Sequence, residues 1–244
     1  MTGKRIHLTF LSLFIVSLLF ADIPVGYYTN ASGKSGAELT SLYQILKEHK
    51  RIPYGSAYGS TWTVFRKSDV YPSGITGHPE GSIWDMYSDI VRYFPSGQSG
   101  SNREMNIEHS VPKSWWGDSQ SPFKKDASYD LHHLVPSDAS ANSAKSNYPL
   151  GEITGSVSFS NGVSTVGIAT IGVTTTRAFE PADEYKGDFA RMYLYLVTCY
   201  QDYTWAVTSM FASNTYPTLT DYGKSLLLKW HRQDPVSQKE KNRN

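Results

Sequence analysis

Asn106-Ile107-Glu108-His109-Ser110-Val111-Pro112, Asp130-Leu131-His132-His133-Leu134-Val135-Pro136 and Asn142-Ser143-Ala144-Lys145-Ser146-Asn147 are three blocks of one stretch, and they hold three of the chain's seven histidines. The first two blocks are short extended pieces, each closed by a proline. The third is a run of small residues suited to a helix. Together, residues 104–150 predict a compact strand–loop–strand–helix unit with a polar centre able to hold one divalent metal and one general base. The expected fold class is α+β, with mixed helices and short sheets around this unit.

N-terminal to the unit, residues 35–47 read as a helix. Leu39, Leu42, Tyr43 and Leu46 follow the spacing of one helical face, and Ser35 with Glu38 resembles a capping box. Residues 62–69 suit a second short helix. Ile83–Ser88, apolar with one Asp85, suits a core strand. C-terminal to the unit, residues 152–176 are rich in Val, Ile, Ser, Thr and Gly, and Asn161-Gly162 is a hairpin signal. Over residues 187–201, Phe189, Met192, Tyr193, Leu196 and Tyr200 recur at helical spacing. Leu194, Val197 and Cys199 widen that face, which predicts a helix buried on most sides. Residues 219–232 form a further expected helix, and the tail from Asp234 is polar.

The chain has 244 residues, 39% of them hydrophobic, enough for one sizeable core. A single domain over residues 22–244 is expected. Lys4 and Arg5 precede the apolar run Leu8–Phe20, with Ala21 as the cleavage point. That predicts a signal peptide over residues 1–21, shorter than the ~20 apolar residues a membrane helix needs. The expectation is a secreted protein, extracellular or periplasmic, with no membrane attachment after signal removal. Losing those residues takes the formal charge from +1 to −1. A charge near zero argues against binding nucleic acid by bulk electrostatics, but leaves room for a local basic cleft. Cys199 is the one cysteine, so an intrachain disulfide and a thiolate-built zinc site are excluded too. No partner protein is implied, and a monomer is expected.

In the central stretch, a Glu108 oxygen suits a hard cation such as Mg²⁺. The neutral imidazole of His109 can take a proton from water, since its unperturbed pKa is about 6.5. Adjacent strand residues face opposite ways, so both act at one centre only if the backbone bends there. Asn142 either caps a helix or aims its side-chain oxygen at the ion. One carboxylate and one amide suit Mg²⁺, which keeps several waters and accepts phosphate oxygens. Two other readings stand beside this one. A zinc hydrolase would use His109, His132 and His133, but no His-Glu-x-x-His occurs. A secreted binding module would account for the many Tyr, Ser and Gly. Trp115 and Trp116 suit either core packing or base stacking.

The three blocks resemble the signature of the bacterial secreted endonuclease I family, nucleases of the ββα-metal (His-Me finger) superfamily: Asn-x-Glu-His-x-x-Pro, Asp-x-His-Asn-Leu-x-Pro, and Asn-x-x-(Arg or Lys)-Ser-Asn. The likeness extends to Trp84-Asp85-Met86-Tyr87-Ser88, Phe179-Glu180-Pro181, Lys186-Gly187-Asp188 and Asp234-Pro235-Val236. It implies an endonuclease acting on DNA and/or RNA with little sequence preference and 5′-phosphate products. It implies His109 as general base, and Glu108 with Asn142 as holders of Mg²⁺ or another divalent cation such as Mn²⁺ or Ca²⁺. Lys145 and Asn147 would contact phosphate or support the motif helix, and Asp130, His132 and His133 would be supporting residues. His133 stands where the family usually has Asn, which implies an altered pH dependence. The insert at 117–129 is short, so Lys124 or Lys125 is expected to replace a phosphate-binding arginine supplied there in relatives. Arg191, on an otherwise apolar helix, is the favoured further phosphate contact, with Lys113 and Lys186 beside it.

Overall fold

The structure, a computed structural model, describes residues 25–34, 40–47, 49–97, 100–116 and 126–243. The expected signal peptide, the Ser35–Glu38 capping box, Lys124 and Lys125 lie outside the described residues. Six α-helices and two small antiparallel sheets form among the described residues, so the α+β class holds. None of these helices is long and apolar enough to cross a membrane.

Two helices, α1 (Thr40–Leu46) and α2 (Thr61–Ser68), precede the central unit. That unit is β1 (Met105–His109) paired antiparallel with β2 (Leu134–Asp138), Ile107 opposite Pro136 and His109 opposite Leu134, followed directly by α3 (Ala139–Lys145). A two-stranded sheet tolerates Pro136, because a strand with two neighbours would lose a ladder bond. The second sheet is the meander β3 (Ile153–Ser160), β4 (Ser164–Ile171) and β5 (Thr174–Pro181), and Asn161-Gly162 makes the first turn with Gly162 at φ +93°. Three helices end the chain: α4 (Lys186–Cys199), α5 (Asp221–Gln233) and α6 (Gln238–Arg243).

Helix α4 is the middle of the main core. Phe189, Tyr193 and Leu196 are fully buried there with Phe179 of β5, Leu227 and Trp230 of α5, and Trp116. Trp115 and Trp116 are therefore core residues, not base-stacking ones. Gly187 is needed for the close approach of α4 to the chain end, since a Cβ there would lie 2.1 Å from the Asp234 carbonyl oxygen. The central unit is tied to this core by Tyr193, whose hydroxyl donates to the Ser110 carbonyl (3.2 Å).

Three local expectations change. Ile83–Ser88 is not a strand. Ile83 makes one bridge to Val70, and the Asp85 carboxylate accepts from Tyr87 N (2.7 Å), Ser88 Oγ (2.9 Å) and Asp138 N (3.0 Å). A buried side chain thus supplies the acceptors that a neighbouring strand would have supplied. Asn142 is not the cap of α3: Asp138 is, accepting from Ala141 N at 2.8 Å. The polar tail folds into α6, and Lys239, 1% exposed, forms an ion pair with the buried Asp69 and donates to the Trp84 carbonyl (2.9 Å).

Asp188, in the first turn of α4, is also buried. It accepts from Ser237 Oγ (3.0 Å), lies 3.6 Å from Arg191, and is crowded by Glu240 and Asp234. Burial first, and then Glu240, raises its pKa to about 7. An unfolded Asp titrates near 3.9, so the folded chain holds a proton that the unfolded chain gives up earlier. This group therefore favours folding fully below about pH 4, and the contribution is lost as pH rises through about 7. Chemical denaturation at pH 5 and pH 8 is expected to show a smaller loss of stability on going to pH 8 in Asp188→Asn than in wild type. Equal losses would contradict this.

Candidate active site

A cleft of about 530 Å³ opens between the end of β1 and α3, lined by Glu108, His109, Lys113, Asn142, Ser146, Asn147 and Tyr54 among others. The structure thus brings together four of the expected site residues from the first and third sequence blocks: Glu108, His109, Asn142 and Asn147. Glu108 and His109 are the last two residues of β1, and both reach the cleft wall at the strand's end.

His109 is 4% exposed, and its Nε2 lies 3.3 Å from the Ser128 carbonyl oxygen. A carbonyl can only accept, so Nε2 carries the proton and Nδ1 keeps its lone pair. Burial, then the nearby His133 and Lys113, holds the His109 pKa well below the ordinary imidazole range. The ring is accordingly neutral at neutral pH and able to accept a proton. Tyr54 lies nearly parallel to it, with ring centres 5.6 Å apart.

Glu108 Oε1 accepts from Lys145 Nζ at 2.7 Å. Lys145 is fully buried on the inner side of α3, and Glu108 is 12% exposed. The lysine is therefore spent on Glu108 and does not reach the cleft; its expected phosphate contact is replaced by an ion pair that fixes a carboxylate. Oε2 of Glu108 and the side-chain oxygen of Asn142 are the hard donors that could hold a divalent ion on the cleft wall. No side-chain hydrogen bond among the described residues occupies Asn142.

The second block supports the site from behind. His133 is fully buried, and its Nε2 donates to the Ala127 carbonyl at 2.6 Å. Ala127 and Ser128 belong to one 3₁₀ turn, Asp126–Tyr129, so the two histidines grip neighbouring carbonyls of the same turn. Burial pushes the His133 pKa down to about 4. The ring is neutral near pH 7, so the expected pH sensitivity from a histidine in place of Asn moves into the acid range. Asp130 is buried and accepts from Tyr200 OH (2.7 Å), Tyr195 OH (2.9 Å) and His132 N (2.9 Å). Burial raises its pKa, but the hydrogen bond and charge of His132 outweigh that and hold it below the usual carboxylate range. His132 faces outward, stacked on Tyr195 at 4.7 Å.

His109, His132 and His133 thus do not converge on one point, which leaves the zinc-hydrolase reading without its ligand set. Among the described residues, His49, Asp130 and Cys199 place possible ligand atoms within 4.8 Å of one another. That group could take a metal only by displacing the tyrosines on Asp130 and ionising a thiol that burial pushes up to about 12.

Residues 35–244 match the family described as Endonuclease I. The chain belongs to the endonuclease I family. It is also similar to an extracellular ribonuclease of Bacillus amyloliquefaciens, 34% identical over 233 residues, covering 89% of this chain and 69% of the relative. A second extracellular ribonuclease, of Bacillus subtilis (strain 168), is 30% identical over 239 residues, covering 96% of this chain and 74% of the relative. Membership of the endonuclease I family makes this chain a nuclease and sets aside the secreted binding module.

Two expected phosphate contacts are placed elsewhere. Arg191 donates to Glu240 Oε2 (2.6 Å) and the Asp234 carbonyl (2.7 Å), and it is not on the cleft wall. It found the partner that an arginine on an apolar helix needs inside the protein. Lys186 is held by Glu180 and Asp183, each at 2.7 Å. Lys113 remains at the cleft, its pKa lowered by burial. Tyr54 escaped the sequence reading because it sits in a Pro- and Gly-rich connection with no periodic signal. Removing one partner of a buried ion pair strands the other, so Lys145→Met is expected to lower folding stability by ~3 kcal/mol. Adding Glu108→Gln should recover much of that loss in urea denaturation; an unchanged midpoint in Lys145→Met would contradict the pairing.

Proposed function

We propose that the chain is a secreted, divalent-metal-dependent endonuclease, one domain over residues 22–244, that hydrolyses phosphodiester bonds of DNA and/or RNA with little sequence preference and leaves 5′-phosphates. The observation that carries this reading is the shared cleft, where a neutral His109 with a free Nδ1 lone pair stands beside Glu108 and Asn142. The names of the two Bacillus relatives support RNA as a substrate, and with the signal-like N-terminus they support secretion.

In this mechanism Nδ1 of His109 takes a proton from a water aligned with phosphorus. The Ser128 carbonyl holds the ring in the tautomer that makes this possible. Lys145 holds one oxygen of Glu108 and leaves the second available to the cleft. A Mg²⁺-type ion held by Glu108 and Asn142 would supply charge neutralisation at the phosphate and the departing 3′ oxygen. Lys113 faces the substrate phosphates as a cationic wall, and Asn147 offers an amide beside it.

General-base action by a positioned side chain is worth ~10²–10⁴-fold. His109→Ala is expected to lower turnover of RNA and plasmid DNA by at least ~10²-fold while gel-shift binding persists; near wild-type cleavage would overturn the assignment. EDTA should abolish cleavage and added Mg²⁺ restore it. Activity indifferent to chelation would remove the metal from the proposal.

A further inference from the structure

Arg243, the last residue of α6, reaches back beneath the central unit with its side chain 9% exposed. Its Nη2 donates to two carbonyls, those of Leu131 and Leu134, the second at 2.5 Å. Its Nη1 lies 3.2 Å from Asp69 Oδ1. Leu131 and Leu134 bracket the turn that carries His132 and His133, just ahead of β2. Within that turn the backbone offers a long bond from His133 N to the Asp130 carbonyl, 3.3 Å, and from outside it Ser110 N donates to the His133 carbonyl at 3.0 Å, so that the carbonyls of Leu131 and Leu134 are left for Arg243 to hold. From there the contacts run in sequence: His133 holds the Ala127 carbonyl, and the next carbonyl, Ser128, holds Nε2 of His109. Arg243 does not line the cleft.

Anchoring α6 does not require these two carbonyl contacts. Lys239 already pairs with Asp69 and donates to the Trp84 carbonyl, and Glu240 is bound by Arg191. What Arg243 adds is a planar fork able to hold two oxygens at once, which an ammonium on a flexible stem does not reproduce.

We propose that Arg243 is a positioning residue for the nuclease reaction: it clamps the Leu131–Leu134 turn so that His133 presses the Ala127–Ser128 carbonyls into the place where they orient His109. This rests on His109 being the base. A misplacement of about 1 Å in a reacting group can cost ~10²-fold in rate, so a loosened clamp reads out in turnover and not in substrate affinity.

The test uses the full chain, with steady-state cleavage in Mg²⁺ and thermal unfolding measured on Arg243→Met, Arg243→Lys and His109→Ala. Arg243→Met is expected to lower kcat by ~10-fold or more with KM within about twofold of wild type. Arg243→Lys keeps a cation facing Asp69 and is expected to recover the melting temperature without recovering kcat. Wild-type kcat in Arg243→Met, or kcat that recovers in step with the melting temperature in Arg243→Lys, would overturn the proposal and show a merely structural arginine. Wild-type cleavage by His109→Ala would instead remove the base on which the proposal stands, so the two failures are told apart.

Discussion

A carbonyl oxygen accepts hydrogen bonds and never donates them. The Ser128 carbonyl beside His109 Nε2 therefore decides where the proton of that imidazole sits, and with it which nitrogen keeps its lone pair. Burial reinforces the choice by making the imidazolium expensive. The rest of the central unit serves this contact. His133 grips the preceding carbonyl, the Asp130 network with its tyrosines holds the start of the block, and β1 and β2 bring His109 opposite Leu134.

Buried charge is the common means by which the unit is held in place. Arg92 spans Glu104 and Asp138, the cap of α3, at 3.2 and 2.7 Å. Lys145 holds Glu108, and Lys239 with Arg243 holds Asp69. Such pairs contribute little net stability, because desolvating two charges costs about what their attraction returns. Their effect lies in geometry, since breaking one leaves an unpaired charge in a dry place. With a single cysteine, the chain has no intrachain disulfide to fix these elements, and the ion pairs do so at the junctions where strand meets helix and where α6 meets the central unit.

Much of this was legible in the sequence. The strand–strand–helix unit, the hairpin at Asn161-Gly162 and the buried helix α4 follow from apolar periodicity and turn chemistry that local residues dictate. Glu108, His109, Asn142 and Asn147 share a cleft because their two blocks fold into one unit with the strand between them. What escaped the reading depends on partners far away in sequence. Ile83–Ser88 looked like a strand until Asp85 found Asp138 N. Lys145 and Arg191 looked like phosphate contacts because nothing local shows that Glu108 and Glu240 claim them. Helix α6 looked like a solvated tail because the residues it buries are Lys and Arg, whose burial only an acidic partner such as Asp69 makes tolerable.

The protonation state of one imidazole tests the proposed site most directly. In ¹⁵N-histidine-labelled protein at neutral pH, long-range ¹H–¹⁵N correlation spectra report which ring nitrogens carry protons. For His109, assigned by its loss in His109→Ala, a neutral ring with a protonated Nε2 and a bare Nδ1 is expected. An imidazolium, or a proton on Nδ1 with Nε2 bare, would contradict it, because His109 would then have no lone pair facing the cleft.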